Sequence, residues 1–345
     1  MRVRILTKIL FVCVCLSGGK ALAQDSVRNC ERNQGVVELG SGTTKVYAAV
    51  VDVCKKTIVR VLHEERFPLA FKEAVEKSET KEIPSAVQQE AENRLVSVRA
   101  ELQKKSVSEI KGIATAVFRV AKNGSAVIKA LSQKGGFAIE IISQKREAEL
   151  GFWSVLASKN INPQEPVAVW DIGGGSMQMY SRQGGKEYVY EGHLASVSYK
   201  NQVMETLQFK DPRKEASPNP IGVQREAALQ LAKNHAYLHV PEYFKEKSTS
   251  LRWFGVGGVL SLSVQRQTVP SASEFTQKEL NEVAARRVLL KDAEINSDYR
   301  VSDISNLLLV LGYMQALKID KVETLTTSLG AGWVYNSLHS EKTKH

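Results

Sequence analysis

One short pattern occurs twice in this chain. "VELGSGTTKVY" (Val37–Tyr47) and "VWDIGGGSMQMY" (Val169–Tyr180) align so that Glu38 falls on Asp171, Gly40 on Gly173 and Gly42 on Gly175. Thr43 then falls on Ser176 and Tyr47 on Tyr180. Each copy follows an apolar run ("GVVEL", "VAVWDI") and leads into an alternating one ("TKVYAAVV", "SMQMYSR"), the periodicity of paired strands. An acid, a glycine turn and a hydroxyl therefore sit at the tip of two hairpins, which a duplication explains better than two unrelated turns. The intervening sequence supports this. Strands at 35–41, 44–53 and 56–66 precede a helix at 84–104, the strand "EIKGIAT", a helix at 116–133, the strand "FAIEIIS" and a helix at 145–159. After "NINPQEP" the plan restarts with strands at 167–172, 176–182 and 186–191. Three strands followed by alternating helix and strand, twice over, predicts an α/β fold: two domains with mixed twisted sheets flanked by helices and a cleft between them. The expected boundaries are 24–160 and 161–329, with the last helix, from about 330, packing back on the first domain.

The glycines admit two readings. A run such as "GGG" can be a tight hairpin turn. Glycine also lets a ligand approach the main chain, and consecutive amides at a glycine turn form a positive concavity for phosphate oxygens. Ser41 belongs to the first turn and Gly174 to the second.

The N-terminus has a different character. "MRVRILTK" is basic, "ILFVCVCL" apolar and "SGGKALA" rich in small residues, the order of a secretory signal with cleavage expected after Ala23. Its loss lowers the formal charge of the 345-residue chain from +10 to +6, a mildly basic surface that suits an anionic ligand. A periplasmic or secreted protein is expected, with neither nucleic acid nor, in the mature form, a membrane as partner. Cys30 and Cys54 alone remain of four cysteines, either as one bridge or as two free thiols.

The ordered set "ELGSGTTK", "IATAVFRVAKN", "IEIISQKREAEL", "VWDIGGGSMQ" and "FGVGG" resembles the exopolyphosphatase/guanosine pentaphosphatase family, in its short form without the C-terminal extension. That resemblance implies two actin-like (ribonuclease H-like) domains whose glycine hairpins cradle phosphate across the cleft. It places Gly40, Ser41, Gly42 and Thr43 on one side and Gly173, Gly174, Gly175 and Ser176 on the other. It implies Arg119 and Asn123 as contacts to the phosphate chain, with Gly257 and Gly258 as a further glycine pair at the phosphates. Glu147 is the implied general base, and Asp171 and Glu38 the implied ligands of a divalent cation, Mg2+ or Mn2+. A homodimer is the general habit of short members.

The chain departs from the family pattern near the chemistry. Glu38 stands where Asp is usual, Gln144 replaces a glycine, and Arg146 and Glu149 exchange charges three residues apart, a spacing that lets them pair on a helix. Gln178 replaces a Glu but matches the water-positioning Gln of apyrases. The favoured expectation is a phosphoanhydride hydrolase releasing terminal phosphate from polyphosphate or from penta- or tetraphosphorylated nucleotides. Two alternatives stand beside it: a binding protein on the same scaffold, and an apyrase-like nucleoside tri- and diphosphate hydrolase.

Overall fold

The computed structural model of the chain describes residues 30–339. The signal segment and its cleavage point lie outside the described residues. Three antiparallel strands open the first half: β1 (Glu31–Leu39), β2 (Thr43–Asp52) and β3 (Thr57–Pro68). After α1 (Phe71–Lys77) and α2 (Ser85–Lys104) come β4 (Glu109–Ala114), α3 (Ala116–Val120), α4 (Gly124–Gly135), β5 (Ile139–Ile141) and α5 (Gln144–Lys159). The second half repeats the plan with β6 (Val167–Ile172), β7 (Met177–Gln183) and β8 (Lys186–Gly192), then α6 (Ser196–Leu207), α7 (Arg225–His239), α8 (Glu242–Lys247) and β9 (Arg252–Val256). It closes with α9 (Gln265–Thr268), β10 (Glu274–Thr276), α10 (Gln277–Arg287), α11 (Asp303–Leu317), β11 (Lys321–Thr324) and α12 (Leu329–His339).

The first sheet runs β3-β2-β1-β4-β5 and the second β10-β11-β9-β6-β7-β8. Without β10, an added antiparallel edge strand, the second order is the first one repeated. In each half a meander supplies the antiparallel pairs, while β4 joins β1 and β9 joins β6 in parallel across helical crossovers. Two mixed sheets flanked by helices are thus the observed fold, as the duplicated pattern predicts.

Apolar residues cover each sheet. On the first, Val37, Leu39, Val46 and Ala48 pack with Leu95 and Leu131 of α2 and α4. On the second, Trp170, Met177 and Met179 pack with α7 and with α11, which is buried around nearly its whole circumference. α5 and α12 join the halves. Phe152, Val155 and Leu156 of α5 lie against Val167, Val169 and Phe254, whereas Leu150 shares a cluster with Val334 and Leu338 of α12 and with Val36, Tyr47 and Ala49. The last helix therefore packs on the first sheet. Arg146 binds Glu149 at 2.6 Å and Asn336 at 2.9 Å, so the exchanged charges pair and tie α5 to α12.

Several local features differ from expectation. The helix expected at 116–133 breaks between α3 and α4, where the side chain of Asn123 holds Ile83. α1, α8 and β10 are too short to show periodicity in sequence. β1 starts at Glu31 because the sheet continues to a disulfide. Cys30 and Cys54 are bonded with Cα atoms 5.6 Å apart, across the end of the β1–β2 pair where the Val53 amide meets the Cys30 carbonyl. The bridge ties the start of β1 to the β2–β3 turn. A Cys30→Ser/Cys54→Ser chain is expected to lose about 2–4 kcal/mol of stability, read from denaturant melts.

Candidate active site

The two glycine turns are closed by the same bond. The Gly40 amide donates to the Thr43 carbonyl at 3.1 Å, and the Gly173 amide to the Ser176 carbonyl at 2.8 Å. Beyond the turns the registers also agree: Glu38 faces Lys45 across β1–β2, and Asp171 faces Gln178 across β6–β7. A Cβ on Gly40 would stand 2.5 Å from the Thr43 carbonyl, so the turn itself requires glycine there. Gly42 is different, because a Cβ there would meet nothing within 4 Å.

The turns face one another. The Lys72 amide, in α1, bonds the Ser41 carbonyl at 2.8 Å, fixing that residue beside the first turn. Its Nζ lies 3.5 Å from where a Cβ would stand on Gly174 or Gly175 of the second. One lysine side chain therefore spans the gap. The second turn is braced from behind by the start of α6, where the Ser196 and Val197 amides donate to the carbonyls of Gly173 and Gly174 at 3.2 and 2.9 Å. Among the described residues, the amides of Ser41, Gly42, Gly174 and Gly175 donate to no protein acceptor. Lys72 Nζ also lies 3.8 Å from Glu76; opposed turns with free amides and a lysine between them have the chemistry to hold an anion.

Acids and bases gather behind it. Glu147 lies in the first turn of α5, whose start is capped by Ser143 accepting from the Arg146 amide at 3.1 Å. Arg119, at the end of α3, donates through Nη1 to Glu147 Oε2 at 3.0 Å and to the Ile142 carbonyl at 2.8 Å. Among the described residues its Nε and Nη2 have no acceptor. Burial raises the Glu147 carboxyl to about 7; Arg119 opposes the shift, while Asp171 and Glu38 add to it. Burial likewise raises Asp171 to about 6, against the pull of Lys45. A carboxylate titrating near neutrality is suited to taking a proton from water.

At three of the expected positions the geometry shows protein partners or neighbours. The Asn123 side chain accepts from the Ile83 amide at 2.8 Å and donates to the Ile83 carbonyl at 2.9 Å, so both ends of its amide are committed to backbone, not phosphate. Each oxygen of Glu38 already has a protein donor: Oε1 accepts from Lys45 Nζ at 2.8 Å and Oε2 from the Leu329 amide at 3.0 Å, so a cation there would share the carboxylate with them. Gly257 and Gly258 also make room for side chains, which leaves their expected place at the phosphates untouched. Gly257 has φ 80°, and a Cβ there would collide with Asp171 Oδ1; one on Gly258 would collide with the Tyr299 hydroxyl.

The other positions keep open chemistry. Asp171 carries no hydrogen-bond donor among the described residues, so its carboxylate fits a cation. Gln178 is buried beside it, with Oε1 3.4 Å from Gln144 Nε2 and, among the described residues, no acceptor for its own Nε2. Acidic groups elsewhere could also hold a metal. His63, Glu65 and Glu101 have ligand atoms within 4.8 Å of one another, although Arg94 already pairs with Glu65.

Lys45 and Lys72 are the site residues not anticipated from sequence. Lys45 had a signal. It stands seven residues after Glu38, as Gln178 does after Asp171, so the hairpin register places it opposite the acid. Burial alone would lower its pKa, but Glu38 and Asp171 outweigh that and raise it, keeping the ammonium charged. Lys72 carried no such signal, since only the tertiary bond to Ser41 brings it to the turn.

The model of the Ppx/GppA phosphatase family matches residues 49–341, from β2 through α12. The chain belongs to the Ppx/GppA family. The match takes in Arg119, Glu147 and the second glycine turn and begins after the first. Among solved structures, the Aquifex aeolicus Ppx/GppA family member is similar, with TM-score 0.69 and 16% identity over 91% of this chain and 99% of that one. An exopolyphosphatase from Cytophaga hutchinsonii has TM-score 0.66 and 16% identity, covering 89% and 98%. At such identities these likenesses concern the fold. The curated proteins contain no match to the sequence.

Proposed function

We propose that the chain is an exported phosphoanhydride hydrolase that releases the terminal phosphate of a polyphosphate or of a phosphorylated nucleotide. The observation that carries this reading is Lys72, anchored at the first glycine turn with its ammonium against the second, in a cleft where four turn amides are free. Family membership points to the same chemistry, and the Cys30–Cys54 bridge supports an oxidising compartment.

In this reading the free amides of both turns and Lys72 bind and orient the phosphate oxygens. Thr43 and Ser176 offer hydroxyls, and the open edge of the Arg119 guanidinium pairs with the terminal group. Gln178 Nε2 orients water, and Glu147 accepts its proton as the water attacks phosphorus in line. Arg119 also holds the Glu147 carboxylate in place. Asp171 would hold Mg2+ or Mn2+, which draws negative charge off the transferring phosphate when bound. A second reading, a binding protein on the same scaffold, is favoured by one observation: Lys45 already occupies the acid that would complete a metal pair.

Phosphate release by residues 24–345 distinguishes them. Short polyphosphate, nucleoside triphosphates and guanosine tetraphosphate are each supplied with Mg2+ or Mn2+. Release that stops on chelation is expected. Substrate binding with no release under any cation would leave the binding-protein reading standing.

A further inference from the structure

β3 carries an irregularity that turns one stretch of it toward α2. Ala48 of β2 faces His63 and Ala49 faces Val61, so Leu62 is an extra residue without a partner of its own. A bulge of this kind re-aims side chains. Leu62 and Phe67 pack against the cluster that holds Leu95 and Val98 of α2, and His63 and Glu65, between them in sequence, reach that helix as well. On α2, Arg94, Val98 and Glu101 follow one another at helical spacing. Arg94 pairs with Glu65 and lies 4.4 Å over the Phe67 ring, while Glu101 meets His63.

His63, Glu65 and Glu101 converge without bonding one another. His63 Nε2 lies 3.5 Å from Glu65 Oε2 and 3.9 Å from Glu101 Oε2. Both His63 Nε2 and Glu65 Oε2 are buried atoms with no hydrogen-bond partner. Two orphaned buried atoms side by side, one imidazole nitrogen and one carboxylate oxygen, call for an explanation. A shared cation supplies one. The three ligand atoms lie within 4.8 Å of one another. A tetrahedral ion with nitrogen and oxygen ligands at about 2.0–2.2 Å spaces them about 3.3–3.6 Å apart. Glu101, the most exposed of the three, has the freedom to close the remaining gap.

The surroundings suit a dication. Arg94 takes Glu65 Oε1 and leaves Oε2 to the group, as an outer partner that holds a ligating carboxylate in place. Two carboxylates against one guanidinium leave the spot negative. The donor set also selects the ion, since imidazole suits Zn2+ and its first-row neighbours, whereas Mg2+ and Ca2+ take oxygen ligands.

We propose that His63, Glu65 and Glu101 form a zinc site that fastens the bulged β3 to α2, with a fourth position left for water. The site stands apart from the glycine turns. Pro68 pairs with Thr43 at the first turn, and His63 lies five residues back, about 17 Å along an extended strand. It does not depend on the phosphate reading.

Calorimetric titration of chelator-stripped, tag-free residues 24–345 with Zn2+ in excess Mg2+ tests it. One Zn2+ per chain is expected in the wild type and in Asp171→Asn, where the carboxylate near the second glycine turn is gone. Glu101→Gln should weaken binding by at least the roughly 10–100-fold that loss of an outer partner costs, and His63→Asn should abolish it. Zn2+ should also raise the melting temperature of the wild type and not that of His63→Asn. Melting of the metal-free proteins shows whether His63→Asn folds; if it does not, Glu101→Gln, whose replaced side chain is 41% exposed, decides alone. No Zn2+ binding, or binding unchanged in Glu101→Gln, overturns the site and leaves an imidazolium held between two carboxylates. Zn2+ lost from Asp171→Asn places the ion at the glycine turns and overturns it equally.

Discussion

Glu147→Gln is expected to lower phosphate release about 10²–10⁴-fold, the range typical of a removed general base, while tripolyphosphate affinity stays near wild type. Glutamine keeps an oxygen that can accept from Arg119 Nη1, so the arrangement at 3.0 Å survives and only proton acceptance is lost. A rate comparison at saturating substrate, with binding measured by calorimetry, checks both halves. Equal rates in the two proteins would remove Glu147 from the mechanism.

The same carboxyl sets the pH dependence. A base works in its ionised form, and burial places this one at about 7. The rate is therefore expected to rise with pH through that value and to flatten above it. The limb should be absent from the residual activity of Glu147→Gln. The shift also has a cost to the fold. The native state holds this proton up to about 7, while the unfolded chain releases it near the ordinary glutamate value of 4.5. Between those values the native state binds more protons, so the contribution of Glu147 to stability falls as pH rises and stays low above 7. Glu147→Gln should thus melt no lower than wild type at pH 8. A lower melting temperature there would show that the charged carboxylate stabilises the site, against its burial.

The duplicated architecture was legible because it rests on local periodicity. Turn, acid and hydroxyl recur at fixed spacing, and the closing bonds Gly40–Thr43 and Gly173–Ser176 carry that spacing into register. Counting outward from either turn also finds Lys45 and Gln178 opposite the acids. Roles that depend on distant partners were not legible. Asn123 reads as a phosphate contact until Ile83, forty residues earlier, takes both ends of its amide. Glu38 also accepts from Leu329 at the start of α12, a partner no spacing in the sequence announces. Lys72 lies on a helix of seven residues, and no spacing in the sequence says that its ammonium will cross the cleft. Charge pairing within one helix is local again, and Arg146–Glu149 forms at the three-residue spacing that suggests it.

Gly42→Val combined with Gly175→Val is expected to weaken tripolyphosphate binding about 10²-fold, the scale on which a misplacement of about 1 Å is felt in a shaped site, without unfolding the chain. Both positions lie outside the left-handed backbone region, so neither needs glycine for its conformation. A Cβ on Gly42 meets nothing within 4 Å, and one on Gly175 meets only the far end of Lys72 at 3.5 Å. The protein leaves room for a Cβ at both positions, and a bound anion would take that room. Gly257→Val supplies the contrast, because there φ is 80° and the new Cβ strikes Asp171. That variant should lose stability outright. Melting curves and calorimetry on the same preparations separate the two kinds of glycine. If the double variant melts as wild type does and still binds tripolyphosphate as tightly, the turns hold no phosphate, and their glycines serve the hairpins alone.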